Sequence, residues 1–169
     1  MTPTIQINLP INKVVELFMD KSNFKEWKKD FISYEHISGI PGEVGAVTKL
    51  VSKRVTMFET ITSKNFPAEI IEEYEHKRGV KTVMVHKASN RFISIAENRT
   101  LFEVEMAIIK VDGFLLKLMM KLMAGAGRKY AQDQLNQFKV FAEKQHTNEA
   151  NPLKSSEHFR VYRKLNYTN

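Results

Sequence analysis

The sequence predicts a single α+β domain in which an antiparallel sheet packs against a long C-terminal helix. Three observations carry this. The stretch from Phe31 to Val111 is a succession of alternating apolar and polar runs separated by short turn-forming clusters. Two short helical patterns precede it, too small to make a core alone. A long helical pattern from Phe114 to about Gln145 follows it.

The start, TIQINLP, alternates and ends in Pro10, so it reads as the first strand. In INKVVELFMD, Ile11, Val14, Val15 and Phe18 recur at helical spacing, with Asn12 as the expected cap. SNFKEWKK reads as a second short helix begun by Ser22. The β-region then runs through ISYEHISG, AVTKLVSK, RVTMFETITSKNFP, AEIIEEYEH, KTVMVHKASNRFISIAEN and RTLFEVEMAIIKV. Short turns make this an antiparallel meander with one buried face. Phe102, Val104, Met106 and Ile108 share one face of the last strand and are expected to point inward. A bulge is expected at residues 88–90.

The C-terminal helix begins FLLKLMMKLM, apolar except for Lys117 and Lys121, and then turns conventionally amphipathic. A helix buried on one side needs an apolar stripe only about 100° wide. The excess suits a segment that walls a cavity or meets a second apolar surface. Gly125 and Gly127 fall near its start, where two glycines suggest a kink, a hinge or a close approach of the sheet. Residues 1–146 read as one domain and 147–169 as a flexible or loosely docked tail.

Composition narrows the function. The 169 residues contain no cysteine, which excludes structural disulfides and thiolate catalysis and fits a cytoplasmic setting. The N-terminus shows no signal-peptide pattern, and no apolar run reaches the roughly 18 to 20 residues of a membrane span. The net charge is +7, but the basic residues are scattered in pairs such as Lys28/Lys29, Lys77/Arg78 and Arg163/Lys164. That disfavours nucleic acid as a partner. The histidines show no metal-ligand spacing, so no metal or cofactor is predicted. Nucleophile motifs and phosphate-cradling glycine loops are absent from the sequence.

The order of elements, with the opening INLPINKVVELFMDKSNFKEW, the glycine-bearing hairpin GIPGEVGAVTKL and the stretch MFETITSKNFP, resembles the START-like (SRPBCC) superfamily. The resemblance covers about residues 4–145. It implies the helix-grip fold: a curved seven-stranded antiparallel sheet around a long C-terminal helix, with two short helices after strand 1. It also implies an apolar cavity used for lipids, sterols, polyketides or other hydrophobic molecules. Some members are cyclases, aromatases or hydrolytic enzymes, and others only bind.

On that basis the expected activity is binding or carrying a hydrophobic small molecule, lipid-like or polyketide-like, with no catalytic residue assigned. The expected lining is Phe58, Tyr74, Met84, Met106, Ile108, Phe114, Leu118, Met119 and Leu122. Methionine suits an adaptable apolar wall. An enzyme of the cyclase or hydrolase type would use a cavity carboxylate or histidine from among Glu59, Glu72, His36 and His86, with Tyr34 and Tyr74 also on strands. A third alternative is a regulatory module docking on a protein or a membrane. There Lys117 and Lys121, four residues apart, would meet anionic lipid beside the leucines, so peripheral membrane contact stays open. The sequence does not set the oligomeric state.

Overall fold

A computed structural model describes residues 2–122 and 124–149; for Leu115, Met119, Met120, Lys121, Ala124, Asn148 and Glu149 it describes the backbone only. The strands are β1 (Thr4–Ile7), β2 (Phe31–Ser38), β3 (Val47–Ser52), β4 (Thr56–Asn65), β5 (Glu69–Arg78), β6 (Lys81–Ala96) and β7 (Arg99–Val111). They form one antiparallel sheet in the order β1-β7-β6-β5-β4-β3-β2. The first strand therefore closes one edge beside the last, and the other edge is β2. Helices α1 (Ile11–Met19) and α2 (Phe24–Trp27) follow β1, and α3 (Phe114–Leu122) and α4 (Ala124–Glu149) follow β7.

The sheet curves where its register slips, and extra residues in a strand add bend and twist. Shifts fall at Ile61/Ser63, His76/Lys77, Val85/His86 and Ser94/Ala96. The irregularity expected at residues 88–90 is absent: Ala88, Ser89 and Asn90 pair in step with both neighbours, and the long strand bends on either side of them. One hairpin needs its glycine. Gly39 has φ +81°, and a Cβ there would sit 2.8 Å from the Ala46 Cα.

The core forms where α1, α2 and α4 meet the concave face. Phe18 on α1 touches Phe92, Phe102 and Phe138 edge-on, with ring centroids 5.3–5.9 Å apart. Trp27 lies against Phe138 at 4.9 Å. Offset and edge-on ring pairs add to the apolar burial itself. Pro10, rather than Asn12, occupies the cap position of α1, with no side-chain cap bond. Its missing N–H is one that the first helical turn leaves unpaired anyway. A 3-10 turn at Lys21–Asn23 links α1 to α2, and the Asp20 carboxylate accepts from the Ser22 amide at 2.9 Å.

Helix α4 runs beside the edge strand β1 and occupies its free polar groups. Gln132 accepts from the Thr4 amide at 3.2 Å and donates to the Thr4 carbonyl at 2.9 Å. Lys139 donates to the Gln6 carbonyl at 2.8 Å, and Glu143 accepts from the Asn8 amide at 2.8 Å. Spacings of seven and four residues keep these side chains on one face of the helix. They cover an edge that would otherwise be open to pairing with another chain.

The helix expected from Phe114 to Gln145 is seen as α3 and α4, and residue 123 between them lies outside the described residues. Gly125 and Gly127 open onto free space, with no atom within 4 Å of a Cβ placed there, so they mark no close approach of the sheet. Helix α4 continues to Glu149. The rest of the expected tail, residues 150–169, lies outside the described residues. No helix among the described residues is long and apolar enough to cross a membrane.

Candidate functional site

Strand register places the chemistry in cross-sheet rows on the concave face. One row runs Ile108 (β7), His86 (β6), Tyr74 (β5), Glu59 (β4) and Thr48 (β3). The next runs Met106, Ala88, Glu72 and Ile61. A third contains Met84, His76, Met57 and Leu50. Strand alternation sends all of these to the side that carries the core.

Two glutamates lie in these rows, each only 1% exposed. A buried charge must be paired and hydrogen-bonded, and the partner comes from the turn between α1 and α2. Lys21 Nζ lies 2.5 Å from Glu59 Oε1 and 3.2 Å from Glu72 Oε1. Glu72 is well supplied: its Oε2 also accepts from the Tyr74 hydroxyl at 2.7 Å and from Asn90 Nδ2 at 3.0 Å. Glu59 is not, because its Oε2 is buried with no hydrogen-bond partner among the described residues. The indole N–H of Trp27 is likewise buried and unpartnered.

This asymmetry separates the two acids. Burial and the charge of Glu72 raise the Glu59 pKa, against the pull of Lys21 and Lys28. Burial also works against the Glu72 charge, but Lys21, Lys28 and the Tyr74 hydrogen bond outweigh it and bring Glu72 below the usual value. Burial likewise opposes the Lys21 charge, yet the two carboxylates hold its pKa above normal. Half-buried Lys28, its ammonium 3.9 Å from the Phe24 ring centre, is brought down to about 8, chiefly by burial. Carboxyls driven apart in this way mark sites where one acid holds its proton more tightly than its neighbour.

Beyond Tyr74 the row turns to imidazole. The His86 ring stacks on Tyr74 with centroids 4.8 Å apart and planes 6° from parallel. Its Nδ1 lies 2.9 Å from His76 Nε2. Burial, then the neighbouring His76, lowers His86 to about 4, and burial lowers His76. Both rings are thus neutral near pH 7, so one ring N–H donates to the other's bare nitrogen.

The expected lining residues separate into groups. Tyr74 joins the buried cluster, and Met84 is half-buried opposite His76. Met106 and Ile108 share the face of Phe102, but they are 48% and 50% exposed against 1% for Phe102. Phe58 lies on the convex face, one residue out of phase with Glu59, beneath the Lys77 ammonium at 4.3 Å. Phe114, Leu118 and Leu122 are exposed on α3, and the Met119 side chain lies outside the described residues. Of the acid–base candidates, His36 is exposed and bonded to the Gly39 carbonyl at 2.9 Å, and Tyr34 is exposed on β2.

Lys21, Asn90 and His76 were not singled out from the sequence. The available signal was parity: Glu72 falls in phase with Ile70 and Tyr74, and Glu59 with Met57 and Ile61, so both acids required buried donors. Among the described residues no group of three or more potential ligand side chains is placed to hold a metal ion. A surface depression of about 400 Å³ between α2 and α4, lined by Glu26, Asn136, Val140, Phe141 and Lys144 among others, contains none of these concave-face residues.

No family model matches the sequence, and a search of curated proteins finds no relative. Solved structures do match. A hypothetical protein from Helicobacter pylori superposes with a TM-score of 0.65 at 12% identity, over 82% of this chain and 84% of that one. Ara h 8.0201 gives 0.60 at 10% identity, over 84% and 95%. DynU16, from the dynemicin biosynthetic locus, gives 0.61 at 11% identity, over 83% of this chain but 45% of its own. The chain has the helix-grip fold. At these identities the likeness is one of fold alone, and a helix-grip scaffold does not name a ligand.

Proposed function

We propose that this helix-grip protein binds a hydrophobic small molecule on the concave face, between the sheet and the C-terminal helices. The observation that carries the reading is the half-exposure of Met106 and Ile108 on the face that is otherwise core. In a folded chain the inward parity of a strand is normally covered. Here two large apolar side chains in succession stay half in water, beside half-buried Met84 and the Tyr74–His86 stack. Covering about 100 Å² of apolar surface is worth roughly 2–3 kcal/mol, so an apolar ligand gains from lying there. A few polar groups at one end would fix its orientation, the usual composition of a small-molecule site. The helix-grip neighbours support a scaffold of this shape, and the ligand-carrying role expected from the sequence belongs to this proposal.

The test is titration with a neutral fluorescent apolar probe, N-phenyl-1-naphthylamine. Saturable binding near one equivalent, weakened by Met106→Ser and Ile108→Ser, is expected. A probe that never saturates, or binding indifferent to both substitutions, overturns the reading.

A further inference from the structure

We infer that the buried cluster is a ligand-anchoring site in which Glu59 Oε2 accepts a hydrogen bond from the hydroxyl of an otherwise apolar ligand. This rests on the concave-face reading and says which end of the ligand goes where. The argument is an inventory of donors. Glu72 receives Lys21, Tyr74 and Asn90. Glu59, equally buried, receives Lys21 on Oε1. The Tyr74 hydroxyl is near enough to act on Glu59 but donates to Glu72, and Glu59 Oε2 has no donor among the described residues. A buried carboxylate oxygen with no donor carries a penalty that a structural ion pair would be expected to relieve, as Glu72 does.

Position supplies the second part. Glu59 is the direct cross-strand neighbour of Tyr74, which is followed in the same row by His86 and then half-exposed Ile108. Glu59 is therefore one strand beyond the ring stack that borders the open apolar surface. A molecule lying over Ile108 and the stack points its end toward Glu59, which is 1% exposed and is reached when that end displaces the side chains covering it.

Charge selects the chemical class. Glu59 and Glu72 already face Lys21, with Lys28 close enough to act on both acids. An additional cation would add charge to a balanced interior, and an anion would meet two carboxylates. A ligand carbonyl brings no donor to an ionised Glu59, the state that the Lys21 ammonium on Oε1 favours. A neutral hydroxyl, whether phenol, enol or alcohol, meets the unfilled acceptor without changing the charge. A hydrogen bond to an ionised group is worth about tenfold to a hundredfold in affinity.

The experiment compares 2-naphthol with 2-methoxynaphthalene, which keeps the apolar body and loses the donor, by calorimetry on the full chain. The wild type is expected to prefer 2-naphthol by about tenfold or more. Glu59→Gln exchanges the charged acceptor for a neutral carbonyl oxygen and should shrink the preference for 2-naphthol several-fold while leaving 2-methoxynaphthalene unchanged. Equal affinities in the wild type overturn the hydroxyl anchor and leave the apolar surface standing. A preference undiminished in Glu59→Gln overturns the assignment to Glu59. Binding of neither compound overturns the concave-face reading and the anchor with it. Should Glu59→Gln not fold, carboxyl ¹³C spectra of glutamate-labelled wild type decide. A buried glutamate resonance that moves with 2-naphthol only supports the anchor, and one that moves with neither overturns it.

Discussion

Strand β7 passes from a closed half of the sheet to an open one within four residues. At Phe102 the concave face is sealed: the ring meets Phe92 at 4.5 Å, Phe18 at 5.3 Å and Phe138 at 5.8 Å. At Met106, on the same face, the side chain is half in water. The two residues have the same parity and similar hydrophobicity, so the strand pattern does not distinguish them. What differs is the helix overhead. The α4 side chains Gln132, Lys139 and Glu143 tie it to β1, and its Phe138 reaches the Phe102 end. The charged cluster lies in the same rows as Met106 and Ile108, across the sheet on β4 and β5, closed like core and chemically unlike it.

The largest expected effects lie in the closed half. Phe102→Ala removes a fully packed ring and should cost about 3–5 kcal/mol of unfolding free energy, read by urea denaturation. A loss below about 1 kcal/mol would mean that the closed half is not packed as described. Lys21→Met should cost a similar amount, because breaking a buried ion pair strands the charges that remain. It carries a signature that the ring deletion lacks. Without Lys21 the two glutamates titrate above their unfolded value, so the penalty applies at neutral pH and shrinks as acid protonates them. The gap between wild type and variant should therefore narrow on acidification. A pH-independent gap would show that Lys21 acts through packing alone.

How much of this was legible in the sequence depends on the range of the interaction. Strand alternation, the helical spacing of Val14, Val15 and Phe18, and the order of elements are local patterns, and the sheet and helices follow them. Pairing of Lys21 with Glu59 and Glu72 spans 38 and 51 positions, and only β4–β5 register and the packing of α1 bring the three together. Parity placed Glu72 and Tyr74 on one face without saying whether it was the buried one. Exposure of Met106 and Ile108 was the least legible feature, since it is decided by where α4 lies rather than by anything on β7. The Phe58 assignment shows the same limit in reverse: its hydrophobicity suggested the interior, while the phase set by Glu59 and Ile61 turns it outward.

The middle effect concerns the border between the halves. His86 is held near 4 in the folded protein against 6.5 for the free side chain. The folded state thus resists protonation. The stability this represents is complete above about pH 6.5 and is lost as pH falls toward 4. For a half-buried ring the loss is on the order of 1–3 kcal/mol. His86→Phe keeps the stack on Tyr74 and removes the titration, so the stability difference from wild type should change across that window and be flat above it. A difference that is flat throughout would show that the His86 ring is freely solvated and that the open half begins nearer to Tyr74.

The smallest effect on stability is the most informative for function. Met106→Ala deletes a side chain that already lies half in water, so it should cost less than about 1 kcal/mol, several-fold below Phe102→Ala on the same strand. If Met106 is surface that a ligand covers, the same substitution should lower affinity for N-phenyl-1-naphthylamine although the fold is untouched. An ordinary exposed methionine would leave both quantities unchanged. A cost of 2 kcal/mol or more would place Met106 in the core, and the division between a closed and an open half of the sheet would fail. The pairing of a small stability change with a clear binding change is what separates an uncovered site from an incompletely covered core.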